Sequence, residues 1–205
     1  GSVAHVKFHD FEVLRTVPLP DDARLVICST DHAVPQEEAR RIFHQRRVCY
    51  ALGLLLLKDR LPNYAALVQY LRDLAPEHLG ITLKQIYRAL LSVPEQMTAK
   101  ALTRLLGPRH REEVEQTLGG QPADAVYPLR GVMLFGLGEC ERSRRFAGLL
   151  EADDLNAAGR FMRISHDGDR VTAPGGDPFR GPVADDYLKD LIMDLASEDP
   201  DRVLH

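Results

Sequence analysis

Residues 129–150 read LRGVMLFGLGECERSRRFAGLL, and residues 151–166 continue as EADDLNAAGRFMRISH. The first stretch has apolar residues every three or four positions and no proline, which predicts a helix from about Leu129 to Leu150. The acidic run Glu151–Asp154 favours the start of a second helix over Asp154–Ser165. We expect these two helices to pack as a hairpin, and they make the fold predominantly helical.

The helical pattern extends upstream and downstream of this pair. A long helix is expected from Pro35 to about Leu57, because proline suits the first helical position and Glu37 and Glu38 favour the positive helix start. Thr82 and Gln85 have the spacing of a capping box. Short helices are therefore predicted near 63–74, 82–91, 98–106, 110–118 and 185–196. Residues 167–182 are too rich in proline and glycine for a regular element.

Only the N-terminal residues show β-type patterning. Val6, Phe8, Phe11, Val13 and Val17 alternate loosely and predict a hairpin, while the continuous apolar run Leu25–Cys28 predicts a strand covered on both faces. We expect strands only within about residues 3–30. The predicted fold class is α+β, mostly α: a small N-terminal β-hairpin and strand region followed by a helical bundle-like region.

The composition of the chain argues against several classes of function. The 205 residues carry a formal charge of −4, which gives no overall attraction for nucleic acid or anionic lipid. The three cysteines are widely spaced and odd in number, unlike a disulfide framework, so a reducing cytoplasm is the expected location. The longest apolar run, 51–57, is far below the roughly 20 residues that cross a bilayer, so no membrane partner is expected.

Familiar catalytic motifs are missing from the sequence. It contains no phosphate-binding glycine loop, no nucleophile elbow and no zinc helix. Gly136 and Gly138 lie inside the predicted helix, where we interpret them as sites of close helix packing. His166, Asp167 and Asp169 could together hold a metal ion, but a helix C-terminus ended by Gly168 explains them more simply.

The segment 130–166 resembles the galactokinases of the GHMP kinase superfamily. It carries Arg130, then Glu139 with Arg142 three residues on, then an acidic turn, then GRFM at 159–162 and finally Ser165-His166. The order and spacing are those of the helical region of galactokinases. The match is weaker over 6–57, and residues 60–120 match only in being helical.

The resemblance implies a domain division and a set of partners. Residues 1–33 would complete the N-terminal kinase domain with a hairpin and strand, and residues 34–205 would form the helical part of the C-terminal GHMP domain. The sugar-binding, ATP-loop and C-terminal glycine-rich motifs of the family are not found here, so no residue is assigned a catalytic, cofactor or metal role. ATP and Mg²⁺ would bind in the intact parent kinase, and this chain is expected to be inactive alone and to self-associate.

The resemblance also implies substrate-binding residues. Galactokinases carry Tyr-Asn-x-Arg-Arg on a helix whose tyrosine packs against the sugar, and the aligned residues here run from Phe43 to Arg47. Phe43 can supply an apolar face but no hydroxyl, which leaves galactose itself open. Phe43, Arg46, Ser165 and His166 are the predicted sugar-binding residues. The expected sequel to Ser-His, serine-leucine-arginine, is replaced by residues 167–170, as in a divergent branch.

Three functions remain open on the sequence. The first is an ATP-dependent monosaccharide kinase, acting at the anomeric hydroxyl in carbohydrate metabolism, of which this chain is an internal piece. The second is a non-catalytic helical interaction module derived from such a kinase. The third, a metal-dependent hydrolase around His166 and Asp169, lacks further ligands at matching spacing.

Overall fold

Two antiparallel strands form a hairpin at the start of the chain. The computed structural model describes residues 1–7, 11–21, 23–24, 26–28, 36–168 and 183–195. Strand β1 (Ser2–Lys7) pairs with β2 (Glu12–Pro18), and the register shifts between His5 and Val6. Arg15 pairs with His5 and Val13 with Val6, so Leu14 is the extra residue of a β-bulge. The predicted hairpin is confirmed.

The strand predicted over Leu25–Cys28 is wrong for the residues that the structure describes. Residues 26–28 belong to no strand, and Val26 and Ile27 are exposed. A strand covered on both faces needs neighbours that complete its hydrogen-bond ladder. Within the described part of the chain, the hairpin sheet contains only β1 and β2, so these apolar residues have no sheet to enter.

Helix α1 spans Gln36–Arg60, as the apolar period predicted, with Glu37 and Glu38 in its first turn. The predicted first helical residue, Pro35, lies outside the described residues. The region predicted as a helix over 63–74 instead forms two 3₁₀ turns, Pro62–Leu67 and Leu71–Asp73. Asp73 Oδ2 accepts hydrogen bonds from the amides of Gln69 and Tyr70. These local bonds stabilise a turn in place of a continuous helix.

The middle of the chain folds into short helices. Helix α2 (Pro76–Leu79) ends at Gly80, whose φ of 64° is in the left-handed region. Helix α3 (Leu83–Leu90) begins with the predicted capping box, in which Thr82 Oγ1 accepts from the Gln85 amide. Helices α4 (Ala99–Leu106) and α5 (Arg111–Leu118) end at Gly107 and Gly119. The expectation of several short capped helices is confirmed here.

A second, minimal sheet contradicts the expectation that strands occur only within residues 3–30. Strand β3 (Met97–Thr98) pairs with β4 (Val126–Tyr127), which gives two residue pairs. Two residues are too few to produce a detectable alternation in sequence. The pairing holds the segment between α5 and the next helix against the start of α4.

The last three helices complete the fold. Helix α6 (Leu129–Glu151) and α7 (Leu155–Gly168) form the predicted hairpin, and α8 (Asp185–Asp194) packs against α3. Asp153 has a φ of 57° in the turn, and Asp154 Oδ1 accepts from the Ala157 amide at 2.9 Å. The acidic turn therefore caps α7 as expected. Residues 167–182 are rich in proline and glycine, which predicts no regular element there. From residue 169 onward this segment lies outside the described residues.

Helix α6 lies at the centre, in contact with α1, α3, α7 and β2. The main core joins α1, α3, α4, α6 and α8. Its most deeply buried large side chains are Leu52, Leu57, Ile86, Leu90, Leu102, Leu106, Leu129, Met133 and Leu188. A smaller cluster places Val17 of β2 against Ala147 and Leu150 of α6 and Ala158 of α7.

Within the described residues, no helix combines the length and apolar character needed to cross a bilayer.

Glycines allow α1 and α6 to approach closely. A Cβ at Gly136 would lie 2.5 Å from both Leu71 Cδ2 and Tyr50 Cε1, and a Cβ at Gly53 would lie 2.7 Å from Met133 Sδ. Carbon atoms at van der Waals contact are about 3.5–4.0 Å apart. The close-packing interpretation of Gly136 is therefore confirmed. At Gly138 the nearest group is the Arg142 guanidinium, 3.1 Å from the Cβ position.

Arg130 joins three elements through one buried guanidinium. The residue is 5% exposed, and it donates to the carbonyl oxygens of Leu91 and Val93 after α3 and of Val183 before α8. Its Nη1 also lies 2.6 Å from Asp185 Oδ1 in the first turn of α8. The side chain thus satisfies the carbonyl groups of two residues that follow α3 and of one residue that precedes α8.

We predict that Gly136→Ala lowers the free energy of unfolding by about 1–3 kcal/mol, because the added methyl overlaps Tyr50 and Leu71. Gly148→Ala is the matched control on the same helix, where a Cβ meets nothing within 4 Å. The control should be neutral or stabilising by up to about 1 kcal/mol. Urea unfolding followed by circular dichroism measures both. Equal effects of the two variants would contradict the close contact.

We predict that Arg130→Met lowers the free energy of unfolding by about 3 kcal/mol, because it leaves buried carbonyl oxygens unpaired. Amide hydrogen exchange should also accelerate in α8, which loses its link to α6. Arg111→Met is the control, because that guanidinium is exposed and pairs only along its own helix with Glu115. Unchanged exchange in α8 of the Arg130 variant would show that the guanidinium does not hold this helix.

Candidate functional site

A carboxylate and a guanidinium form the polar centre of the α6–α7 hairpin. Glu139 Oε1 accepts a hydrogen bond from Arg142 Nε at 2.6 Å, one helical turn away. Its other oxygen, Oε2, accepts from Ser165 Oγ on α7 at 2.8 Å. Arg142 is 5% exposed and also lies 5.8 Å from the centre of the Phe135 ring. Glu139 therefore links the two helices and neutralises a buried cation.

Contacts of α1 with its neighbours show which of its residues lie near which part of α6. Tyr50 meets Gly136, and Gly53, three residues later, meets Met133, three residues earlier. Gln45 Nε2 donates to the Val126 carbonyl at 2.9 Å, so the N-terminal half of α1 lies near β4, just before the start of α6. Arg46 follows Gln45 and lies in that part of α1. Phe43, Arg46, Tyr50 and Gly53 are spaced three and four residues apart, so they share one side of α1.

Contacts between α6 and α7 show in the same way which of their residues lie side by side. Ser165 bonds to Glu139, and a Cβ at Gly168 would lie 2.7 Å from Phe135 Cδ2. Helices α6 and α7 are therefore antiparallel, with Ser165 beside Glu139.

We call the surface around Glu139 on α6 and α7 the Glu139 strip. It consists of Glu139 and Ser143 of α6 and of Ser165 and His166 of α7. Ser143 and His166 are exposed. At one end of the strip, the β1–β2 hairpin packs on the α6–α7 turn through Val17, and Arg15 Nη1 lies 2.8 Å from Glu151 Oε2.

The four predicted sugar-binding residues lie in two separate pairs, Ser165 and His166 beside Glu139, and Phe43 and Arg46 in the part of α1 that contacts β4. Ser165 is joined to α6 by a hydrogen bond, and His166 lies beside it on an exposed face. Phe43 projects its ring to the surface, and Arg46 is partly buried. Glu139 was missed as a site residue, although its spacing to Arg142 was part of the pattern that drew attention to the segment. Its position beside Ser165 required the helix pairing.

A second carboxylate on α6 is held by two arginines. Glu141 accepts from Arg144 Nη2 and from Arg145 Nε, both at 2.6 Å. Burial acts to raise the pKa of the Glu141 carboxyl, but the hydrogen bonds and charges of Arg144 and Arg145 outweigh it and lower the pKa below 4.5. Nearby, burial and then the Glu141 charge raise the pKa of Tyr87 to about 12. Both groups keep a fixed charge state at neutral pH.

The cysteines are free, as their spacing predicted. Burial raises the pKa of the Cys49 thiol to about 12 and also raises that of Cys140. Neither thiol is activated as a nucleophile at neutral pH. Within the described ranges, no three His, Cys, Asp or Glu side chains are grouped so that they could hold a metal ion. Asp169, one of the three residues considered for such a site, lies outside those ranges.

A concavity of about 350 Å³ lies away from the Glu139 strip, between α4, α5 and the segment before β4. Its lining consists of Ala99, Lys100, Thr103, Arg104, Leu118, Gln121 and Ala123. None of the predicted sugar-binding residues belongs to it. Its two cations are on the exposed side of α4, where they have the character of solvated surface charges.

No family model, curated protein or solved structure matches this chain. The similarity to galactokinases therefore stays a prediction that depends on the pattern over 130–166. What the structure adds is the arrangement in space of the residues in that pattern.

We predict that Glu141→Gln lowers the free energy of unfolding by about 1–2 kcal/mol at pH 7, because two guanidinium groups lose their shared carboxylate. The folded-state pKa is lowered, so the carboxylate stabilises fully above its unfolded value of about 4.5 and loses this effect as pH falls through the folded pKa. Urea unfolding at several pH values measures the difference between the two proteins. A difference that stays constant down to pH 3 would contradict this assignment.

Proposed function

We propose that this chain supplies the sugar-side helical part of an ATP-dependent monosaccharide kinase of the galactokinase type. The reaction would convert a sugar and ATP into a sugar phosphate and ADP, with the anomeric hydroxyl as acceptor. The observation that supports the proposal is the Glu139 strip, where a carboxylate, two hydroxyls and an exposed imidazole lie together on α6 and α7. Such groups can form hydrogen bonds with the hydroxyls of a monosaccharide.

Each group in the strip has a distinct task in this proposal. Glu139 and Ser165 offer hydrogen-bonding atoms that are already oriented by their mutual bond. His166 adds an exposed imidazole beside them. Phe43 and Arg46, which the resemblance also implied, lie in the part of α1 that contacts β4 and are not part of this strip.

Phosphoryl transfer needs groups beyond the strip. It depends on amides, cations and Mg²⁺ that position and neutralise the phosphates. We assign no ATP site, no Mg²⁺ site and no catalytic residue to this chain. In this proposal ATP and Mg²⁺ belong to the intact parent enzyme.

A second candidate, a non-catalytic helical interaction module, draws support from a different feature. The hairpin exposes Val6, Val13 and Leu14, and Val26 and Ile27 are exposed nearby in the sequence. Exposed apolar groups of this kind mark protein–protein contacts more often than sugar sites. The two candidates predict binding at different surfaces, which makes them separable.

We predict that a monosaccharide causes amide chemical-shift changes at the Glu139 strip, with a Kd of about 1 mM or weaker. The experiment titrates the ¹⁵N-labelled chain with a panel of aldohexoses and aldopentoses. His166→Ala should weaken the changes, because it removes an exposed hydrogen-bonding side chain of the strip. Leu105→Ala is the control, since it truncates an exposed apolar side chain on α4, outside the strip.

Two outcomes would count against the proposal. The absence of shifts at the strip for every sugar at about 100 mM would leave the interaction module as the better candidate. Equal loss in both variants would mean that the shifts are nonspecific. Calorimetric titration with Mg-ATP should show no binding, and micromolar affinity, about −8 kcal/mol, would contradict the assignment of ATP to other parts of the enzyme.

A further inference from the structure

The β1–β2 hairpin carries apolar side chains on the face that points away from the helices. Val17 is buried against α6 and α7, so its face of the sheet is the inner one. Val6 and Val13 form a cross-strand pair that is exposed, and Leu14 at the bulge is exposed as well. A two-stranded hairpin is marginally stable by itself and gains stability from further strands.

The backbone of β1 offers hydrogen-bonding groups at its outer edge. The Leu19 amide donates to the Gly1 carbonyl at 2.9 Å, so Gly1 points toward β2. Successive residues of a strand point their backbone groups to alternate sides. Ser2 and Ala4 therefore direct both N–H and C=O away from β2, and within the described chain no strand pairs with this edge.

The outer edge of β2 is less suitable than that of β1 for pairing with a further strand. The residues opposite Ser2 and Ala4 are Pro18 and Thr16, and these are the positions of β2 that point outward. Pro18 has no N–H to donate, so a ladder on this edge is interrupted after one residue. A further strand is thus expected on β1.

We propose that β1 pairs with β1 of a second copy of this chain, antiparallel, with Ala4 opposite Ala4 of the second copy on a two-fold axis. In this register Ser2 faces Val6 and Val3 faces His5, so the pairing spans 2–6 of β1. Sliding the pairing by the next step in one direction puts His5 opposite His5. The chosen register puts no like-charged side chains opposite each other within 2–6.

The resulting assembly is a four-stranded sheet in the order β2–β1–β1–β2. Ala4 exchanges two backbone hydrogen bonds with its counterpart, as in other cases of strand addition. The pairing is isologous, so it closes as a dimer. This inference depends only on the hairpin and is independent of the proposed sugar site.

Light scattering on the full chain tests the proposal. The expected mass is about twice the monomer mass of 23.0 kDa. Ala4→Pro removes an N–H that points to the outer edge, so it spares the hairpin bonds and should weaken association by about tenfold or more. Thr16→Pro is the matched control, because Thr16 lies directly opposite Ala4 and points to the other edge. It should stay dimeric.

A wild-type chain that is monomeric up to millimolar concentration overturns the proposal. An Ala4→Pro variant that dimerises as strongly as the wild type does so too, and so does loss of the dimer in Thr16→Pro alone. A chain that associates only with a different protein is monomeric in this assay and counts against the proposal.

Disulfide trapping keeps the test decisive even if a proline disturbs the hairpin. Directly paired residues that exchange hydrogen bonds have Cα atoms about 5.5 Å apart, within the range that a disulfide spans. Ala4→Cys in a Cys28→Ser background should therefore form a covalent dimer on mild oxidation. Thr16→Cys in the same background should not. Equal trapping of both variants, or of neither, contradicts the register.

Discussion

The close approach of α1 and α6 is the constraint on which the rest of the structure depends. Tyr50 and Leu71 occupy the space that a side chain at residue 136 would fill, and Met133 occupies that of residue 53. This contact sets how far α6 lies from α1, and α6 in turn carries α7 on another side and the hairpin at its end. A larger residue at either glycine would displace α6 together with everything that packs on it.

Buried charge on α6 is compensated at every point. Arg130 is bound by carbonyl oxygens and Asp185, Arg142 by Glu139, and Glu141 by two arginines. Such groups are costly to bury alone and stable when fully paired. Arg130 and Glu139 reach other elements, so the bonds of Arg130 to Asp185 and of Glu139 to Ser165 restrain the rotation of α6 about its axis. Glu139 differs from the others in reaching a hydroxyl on a neighbouring helix beside an exposed strip, which is why it is the candidate for recognition.

The hairpin and the helices differ in how they bury their apolar side chains. The helices bury their apolar faces in a common core, whereas the hairpin buries Val17 and leaves Val6, Val13 and Leu14 exposed. The β-bulge is the local cause, since it shifts the register and places Leu14 outside the ladder. A sugar site on the strip and a partner on the hairpin are compatible, because they occupy different parts of the surface.

The sequence by itself determined where most helices begin and end. Capping residues such as Thr82 and Asp154, glycine stops and the 3.6-residue period act over one or two turns, so they can be read without a fold. It failed where structure depends on distant partners. Residues 26–28 have β-type side chains but no ladder to join, 62–73 break into turns around the Asp73 carboxylate, and β3 and β4 are too short to leave a pattern.

The candidate site shows the same division. The sequence pattern singled out Phe43, Arg46, Ser165 and His166 through a resemblance, but it could not say which of them lie beside Glu139. Their placement follows from which residues touch across the fold, Ser165 with Glu139 and Gln45 with Val126. Such contacts join residues far apart in the chain, and local patterning carries no information about them. Only the packed structure decides which polar groups meet, because burial and close contact are properties of the whole fold.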